Sequence, residues 1–150
     1  MNYSDHEVEL ITQALCAVYV LVAWSDGHGS SDERSAFDAA RAQIIPALHL
    51  VEDRMEEAAM AGLLEMYFTE ELVEEYRSQP EANLLKRIRR ARKLVASKGS
   101  LEVLSRYESQ MNVVAREVAE ATRTLIVFGA KVSRPEQAML DRVAAALAGS

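Results

Sequence analysis

The 150-residue chain has little cysteine, proline or glycine, with one, three and six residues of each. Its single thiol, Cys16, has no second cysteine to pair with, which excludes a domain built on internal disulfides and favours a reducing compartment. The scarcity of proline and glycine leaves long segments in which apolar residues recur at helical spacing. The sequence therefore predicts an all-α protein, and its length suits one compact domain over residues 1–150.

Long hydrophobic runs are also absent. The longest, residues 14–24, has 11 residues, whereas a helix needs about 20 to span a bilayer. The first seven residues lack the basic stretch of a secretory signal. We expect a cytoplasmic protein without a transmembrane segment.

Motifs of the common enzyme classes are missing as well. The chain contains no P-loop, dinucleotide fingerprint, nucleophile elbow or His-Glu-x-x-His sequence, which predicts a protein without catalytic activity. The net charge of −6, together with the lack of a basic patch interleaved with aromatic residues, disfavours nucleic-acid binding.

Apolar stripes and cap signals predict a bundle of about seven helices. Their expected ranges are 4–25, 30–47, 51–68, 70–77, 81–97, 101–128 and 133–148. The first helix begins at a capping box formed by Ser4 and Glu7, and it is apolar on every side around residues 14–24, which is typical of a central helix. The sixth repeats apolar residues every seven positions, but no matching stripe exists in the chain, which favours a long core helix over a coiled coil.

An internal repeat links the two ends of the chain. An offset of 103 residues aligns the first predicted helix pair, about 4–47, with the last pair, about 101–148, without a gap. A Ser-x-x-Glu capping box recurs in both copies, at residues 30–33 and 133–136. This pattern predicts two helix-loop-helix units related by an approximate two-fold axis.

The acidic loop between the first two predicted helices is a candidate metal site. Three carboxylates, among them Asp26 and Glu33, lie with a histidine within eight residues, and calcium and magnesium bind carboxylate oxygens. An EF-hand does not fit, because its glycine position is occupied by Ser31 and its final glutamate position by Phe37.

The same loop also fits a turn without metal. Gly27 can end the first helix, Ser30 can cap the second, and Glu33 can complete the capping box. Asp32 is favourably placed for the helix dipole. The residues by themselves leave the metal site and the metal-free turn open.

A wider pattern surrounds this loop. An alanine- and valine-rich helix runs into Asp-Gly-x-x-Ser-x-x-Glu over residues 23–33, and a degenerate copy follows at 128–136. This arrangement resembles the tellurite-resistance TerB family and its TerB-like relatives over nearly the whole chain. The resemblance implies a compact seven-helix domain with pseudo-two-fold symmetry, acidic motifs that bind a divalent cation (calcium, magnesium or manganese), and a role in bacterial stress response within membrane-linked complexes.

Carried onto this chain, the resemblance makes Asp26 and Glu33 the metal candidates of the first copy and Glu136 that of the second. The second copy departs from the motif, because Gly129 stands where the motif has aspartate and Lys131 adds a positive charge. We therefore expect metal binding mainly at the first copy.

A basic run at residues 86–93 is a candidate docking surface for an acidic protein or membrane. Its candidate partner-binding residues are Lys86, Arg89, Arg90, Arg92 and Lys93. The preceding segment, 52–81, holds ten acidic and two basic side chains, and ion pairs between the two segments would neutralise much of the run. Docking and internal neutralisation both stay open.

Two functional hypotheses follow. The leading one is a non-catalytic stress-response module, similar to the tellurite-resistance proteins, that binds a divalent ion at the acidic loop and acts through protein partners in the cytoplasm or at the inner face of the membrane. The alternative is a metal-free interaction or scaffold domain that docks an acidic protein or membrane surface through residues 86–93.

Overall fold

The computed structural model describes residues 3–25, 53–124 and 134–149. In these ranges every regular element is an α-helix. The helices are α1 (Asp5–Ala23), α2 (Arg54–Tyr67), α3 (Glu70–Arg77), α4 (Glu81–Lys98), α5 (Leu101–Thr124) and α6 (Arg134–Leu147). The all-α prediction is confirmed. The count over this part of the chain is six instead of about seven, and the helix predicted at 30–47 lies outside the described residues.

Helix α1 is the central element of the fold. The Ser4 hydroxyl accepts a hydrogen bond from the Glu7 N–H (3.2 Å), and Glu7 Oε1 accepts one from the Ser4 N–H (2.9 Å), so the predicted capping box is confirmed. The helix contacts each of the other five described helices. All of its residues from 14 to 23 are buried, as its all-round apolar sequence predicts.

By length and composition, α1 is also a helix that could cross a membrane. Of its most apolar stretch, however, 72% is buried inside the domain. Burial by neighbouring helices is the pattern of a core helix, because a membrane span presents its apolar side chains to lipid.

Local capping sets the start of α2. The Asp53 carboxylate accepts hydrogen bonds from the N–H groups of Met55 (2.8 Å) and Glu56 (3.1 Å), and the Asp53 backbone is extended. The helix therefore begins at Arg54, and not at residue 51 as the apolar spacing predicts. A side-chain cap of this kind satisfies backbone donors that have no partner within the helix.

Helix α4 has two chemically different faces. Its buried face packs against α1, α5 and α6. That face consists of Leu84, Ile88, Ala91 and Val95, in agreement with the predicted stripe. Because these residues recur every three or four positions, the rest of the helix is left for polar side chains. The fold thus turns the basic run of the sequence toward the surface.

An ion pair joins the end of α4 to the start of α1. Lys98 Nζ lies 2.8 Å from Glu7 Oε1, and the ammonium also lies 5.7 Å from the centre of the buried Tyr3 ring. The hydrogen bond with Lys98, followed by the backbone hydrogen bond of Ser4, holds the pKa of Glu7 below its ordinary value. This ion pair therefore links the C-terminal end of α4 to the N-terminal end of α1.

Acidic pH is expected to weaken the ion pair between Glu7 and Lys98. A carboxylate whose pKa is lower in the folded state stabilises the fold above its unfolded-state pKa, about 4.3, and loses that contribution as the pH falls through the lowered value. Urea unfolding midpoints measured at about pH 6 and about pH 3 should therefore fall less in Lys98→Met than in the parent protein. In the matched control Lys93→Met, the fall should equal that of the parent; an equal fall in Lys98→Met would contradict the prediction.

Candidate functional site

The predicted metal candidates are not brought together within the described residues. Asp26 and Glu33 lie outside these residues, and Glu136 lies in the first turn of α6. Across the ranges 3–25, 53–124 and 134–149, no three side chains of histidine, cysteine, aspartate or glutamate are grouped to hold a metal ion. Divalent-ion binding at the acidic loop stays a prediction.

Glu136 is a buried carboxyl, only 2% exposed. The partial positive charge at a helix N-terminus favours an acidic residue in the first turn, which is where Glu136 lies. An ion bound through this carboxylate would have to enter the interior of the domain. Glu136 is therefore less accessible to an ion than a ligand on an exposed loop would be.

The predicted partner-binding residues, in contrast, lie together. We call Lys86, Arg89, Arg90, Arg92 and Lys93 the basic cluster. All five line one concave space of about 410 Å³, completed by Gly149 after the end of α6. We call this space the basic groove. Within the cluster, Lys86, Arg90 and Lys93 are exposed, whereas Arg89 and Arg92 are half-buried.

Arg92 pairs with Glu108 on one side and lies close to Gly149 on the other. Its Nε donates a hydrogen bond to Glu108 Oε1 at 3.1 Å, forming an ion pair between α4 and α5. On the other side, a Cβ built on Gly149 would lie 3.1 Å from Arg92 Nη1. Gly149 has a φ of +92°, a conformation that favours glycine. The backbone of Gly149 can therefore approach the Arg92 guanidinium closely.

The other four cations of the basic cluster are not neutralised by this network. Among the residues that the structure describes, none of Lys86, Arg89, Arg90 and Lys93 takes part in an ion pair. The ion pairs made by α4 instead use Lys98 with Glu7, Arg92 with Glu108, and Glu81 with Arg142. Four positive charges thus share one groove.

Internal neutralisation by the acidic segment 52–81 is not observed in the described part of the chain. Helices α2 and α3, which carry most of its carboxylates, pack against α1. Arg77 pairs with Glu74 within α3 itself. No ion pair in these ranges joins α2 or α3 to the basic cluster. Neutralisation of the basic run by ion pairs with the acidic segment is therefore not supported by the described residues.

Arg87 belongs to the basic run but has a packing role. Its guanidinium donates hydrogen bonds to Gln13 Oε1 (3.1 Å) and Gln79 Oε1 (3.4 Å). The same group lies 4.8 Å from the centre of the Tyr76 ring. Burial raises the pKa of Tyr76 to about 12, with the charge of Arg87 acting in the opposite direction. Arg87 thus fastens α4 to α1 and α3.

Sequence reasoning missed Glu108 and Gly149. Both are distant from the basic run in sequence and reach it only through the packing of α5 and α6 on α4. The eight-residue basic run offers no signal for either residue. The run itself was visible, because its density of lysine and arginine is a local property of the chain.

Comparisons with known proteins add no relative. No protein-family model matches the chain, and no curated protein or solved structure matches it. The resemblance to the TerB family therefore rests on the motif at residues 23–33 and its degenerate copy at 128–136.

Proposed function

We propose that this protein is a non-catalytic docking module that binds an anionic partner through the basic cluster. One observation supports the proposal above the others: four cations of the cluster line a single groove and have no ion pair with any described residue. Cations gathered in a concave surface focus positive potential into it, and an anionic partner relieves their mutual repulsion.

The docking is electrostatic. Within the described ranges, the exposed large apolar residues are Met55, Met66, Leu101 and Val113, and none of them lies on α4. The exposed side chains of α4 between residues 82 and 97 include no carboxylate. The partner therefore meets positive charge without an apolar anchor, and its affinity depends strongly on salt.

The biological setting in this proposal comes from the TerB resemblance. It is a cytoplasmic stress response in a bacterium, in which the domain acts at an acidic protein or at the inner face of the membrane. The proposal includes the seven-helix, pseudo-two-fold architecture and the divalent ion at Asp26 and Glu33 that the resemblance implies. What supports this part is the repeated motif in the sequence and the all-helical fold of the described residues.

A charge-reversal experiment tests the docking. Binding to immobilised poly-L-glutamate and to vesicles of phosphatidylglycerol is measured at low and high salt for the parent protein. We expect binding to at least one of these probes that weakens with salt. We expect Arg89→Glu with Lys93→Glu to lower the affinity by at least about tenfold, since two charge-assisted contacts become repulsive.

A second pair of reversals supplies the control. Arg116→Glu with Arg134→Glu changes the net charge equally but leaves the groove intact. Both arginines are exposed, and neither is among the residues that line the groove. If this control loses as much affinity as the groove variant, or if the parent protein binds no anionic probe, the proposal fails.

A further inference from the structure

The shape of the basic groove narrows the chemistry of its ligand. A flat bilayer or a flat protein surface touches protruding side chains, whereas this groove is a concave space of about 410 Å³. Ligand-binding pockets commonly enclose about 300–1,000 Å³. The groove therefore has room for a compact group that enters it.

The lining of the groove sets the charge of that group. Among the residues that the structure describes, those that line the groove contribute three guanidinium groups, two ammonium groups and the backbone of Gly149. None of these described residues brings a carboxylate or an apolar side chain to the space. A ligand that matches it carries several negative charges in a small volume and presents no ring or alkyl chain for recognition inside the groove.

Phosphate groups satisfy this requirement better than carboxylates do. A guanidinium forms two parallel hydrogen bonds with either group, but a phosphate monoester carries close to two charges at neutral pH. Carboxylates of an acidic protein carry one charge each and are separated by their side chains. Adjacent phosphates therefore place more negative charge in the groove than carboxylates do. They can balance the four cations that form no ion pair with any described residue.

The floor of the groove is organised before a ligand binds. The ion pair with Glu108 holds Arg92 in position, and Gly149 lies close to its guanidinium. The long side chains of Lys86, Arg90 and Lys93 are exposed and free to adjust around a ligand. One fixed guanidinium beside several adaptable cations is an arrangement that orients a phosphate cluster at moderate entropic cost.

We infer that the basic groove binds clustered phosphate groups, meaning two or more phosphates joined or carried side by side on one molecule. Such a cluster belongs either to a soluble polyphosphate or to a multiply phosphorylated lipid headgroup. This inference rests on the proposed docking function and specifies the chemistry that the docking recognises.

Titration calorimetry with inorganic tripolyphosphate tests the inference, with poly-L-glutamate compared at equal charge concentration. We expect tripolyphosphate to bind at least about tenfold more tightly per charge, because its charges lie much closer together than the carboxylates of the polymer. Arg89→Gln with Lys93→Gln should weaken tripolyphosphate binding by about tenfold or more, and the matched neutralisation Arg116→Gln with Arg134→Gln should leave it unchanged. Thermal unfolding of each variant verifies that the fold is intact.

Vesicles identify the source of the phosphates. Preferential binding to phosphatidylinositol bisphosphate over phosphatidylglycerol at equal surface charge indicates a lipid headgroup, and binding of tripolyphosphate alone indicates a soluble ligand; both results support the inference. If poly-L-glutamate or phosphatidylglycerol binds as tightly as the clustered phosphates, the inference is overturned while the docking function stands. If no anion binds, both are overturned.

Discussion

The variant Val18→Asp is expected to unfold the domain at 25 °C. Val18 is fully buried at the middle of α1, the helix that all the other described helices contact. Val18 belongs to the apolar core formed by the described residues, and burying an unpaired charge in such a core costs several kcal/mol or more. Native domains are stable by only about 5–15 kcal/mol in total. Far-UV circular dichroism should therefore show the loss of helical signal without denaturant.

A matched substitution on the surface separates this effect from helix propensity. Val113 is also a valine within a long helix, but its side chain is 46% exposed on α5. Val113→Asp places the same carboxylate in water, so the free energy of unfolding should change by about 1 kcal/mol or less. A Val18→Asp protein with the parent urea midpoint would show that α1 is not the centre of the fold.

Substitutions of Tyr107 are expected to have opposite outcomes. Tyr107 is 0% exposed on α5, and burial raises the pKa of its phenol above the ordinary value. Removing the ring in Tyr107→Ala leaves a cavity, and we expect a loss of about 3–5 kcal/mol in the free energy of unfolding. Equilibrium urea unfolding measures this loss directly.

The phenylalanine variant isolates the hydroxyl group. Within the part of the chain that the structure describes, the Tyr107 hydroxyl is buried and accepts or donates no hydrogen bond. A buried polar group without such a bond is unfavourable, so Tyr107→Phe should leave stability unchanged or raise it by about 1 kcal/mol. A loss in Tyr107→Phe as large as that in Tyr107→Ala would mean that the hydroxyl is hydrogen-bonded in solution.

Short-range signals predicted much of the fold. The Ser4–Glu7 capping box and the apolar face of α4 follow from residues within a few positions of each other, and both are present in the structure. The start of α2 was missed by three residues, because the hydrogen bonds made by the Asp53 carboxylate outweigh the apolar spacing that begins at Val51. Helix existence was therefore easier to predict than helix boundaries.

The sequence predicted which residues form the candidate site, but not which of their charges are neutralised within the protein. The run 86–93 is visible from local charge density, and all five residues chosen from it line one groove. The sequence does not show which of these cations have a partner within the protein. Arg92 pairs with Glu108, and Arg87 donates a hydrogen bond to Gln13, which is 74 positions away in sequence. These contacts arise only when α4, α1 and α5 pack together.

The all-helical class, the central apolar helix and the density of positive charge on one helix follow from residue order alone, because caps and helical periodicity act over one or two turns. Helix packing, in contrast, establishes which charges are neutralised and brings Gly149 to the groove beside Arg92. The physical reason is distance: an ion pair requires its atoms within about 4 Å, and for residues far apart in the chain that separation is set by helix packing alone.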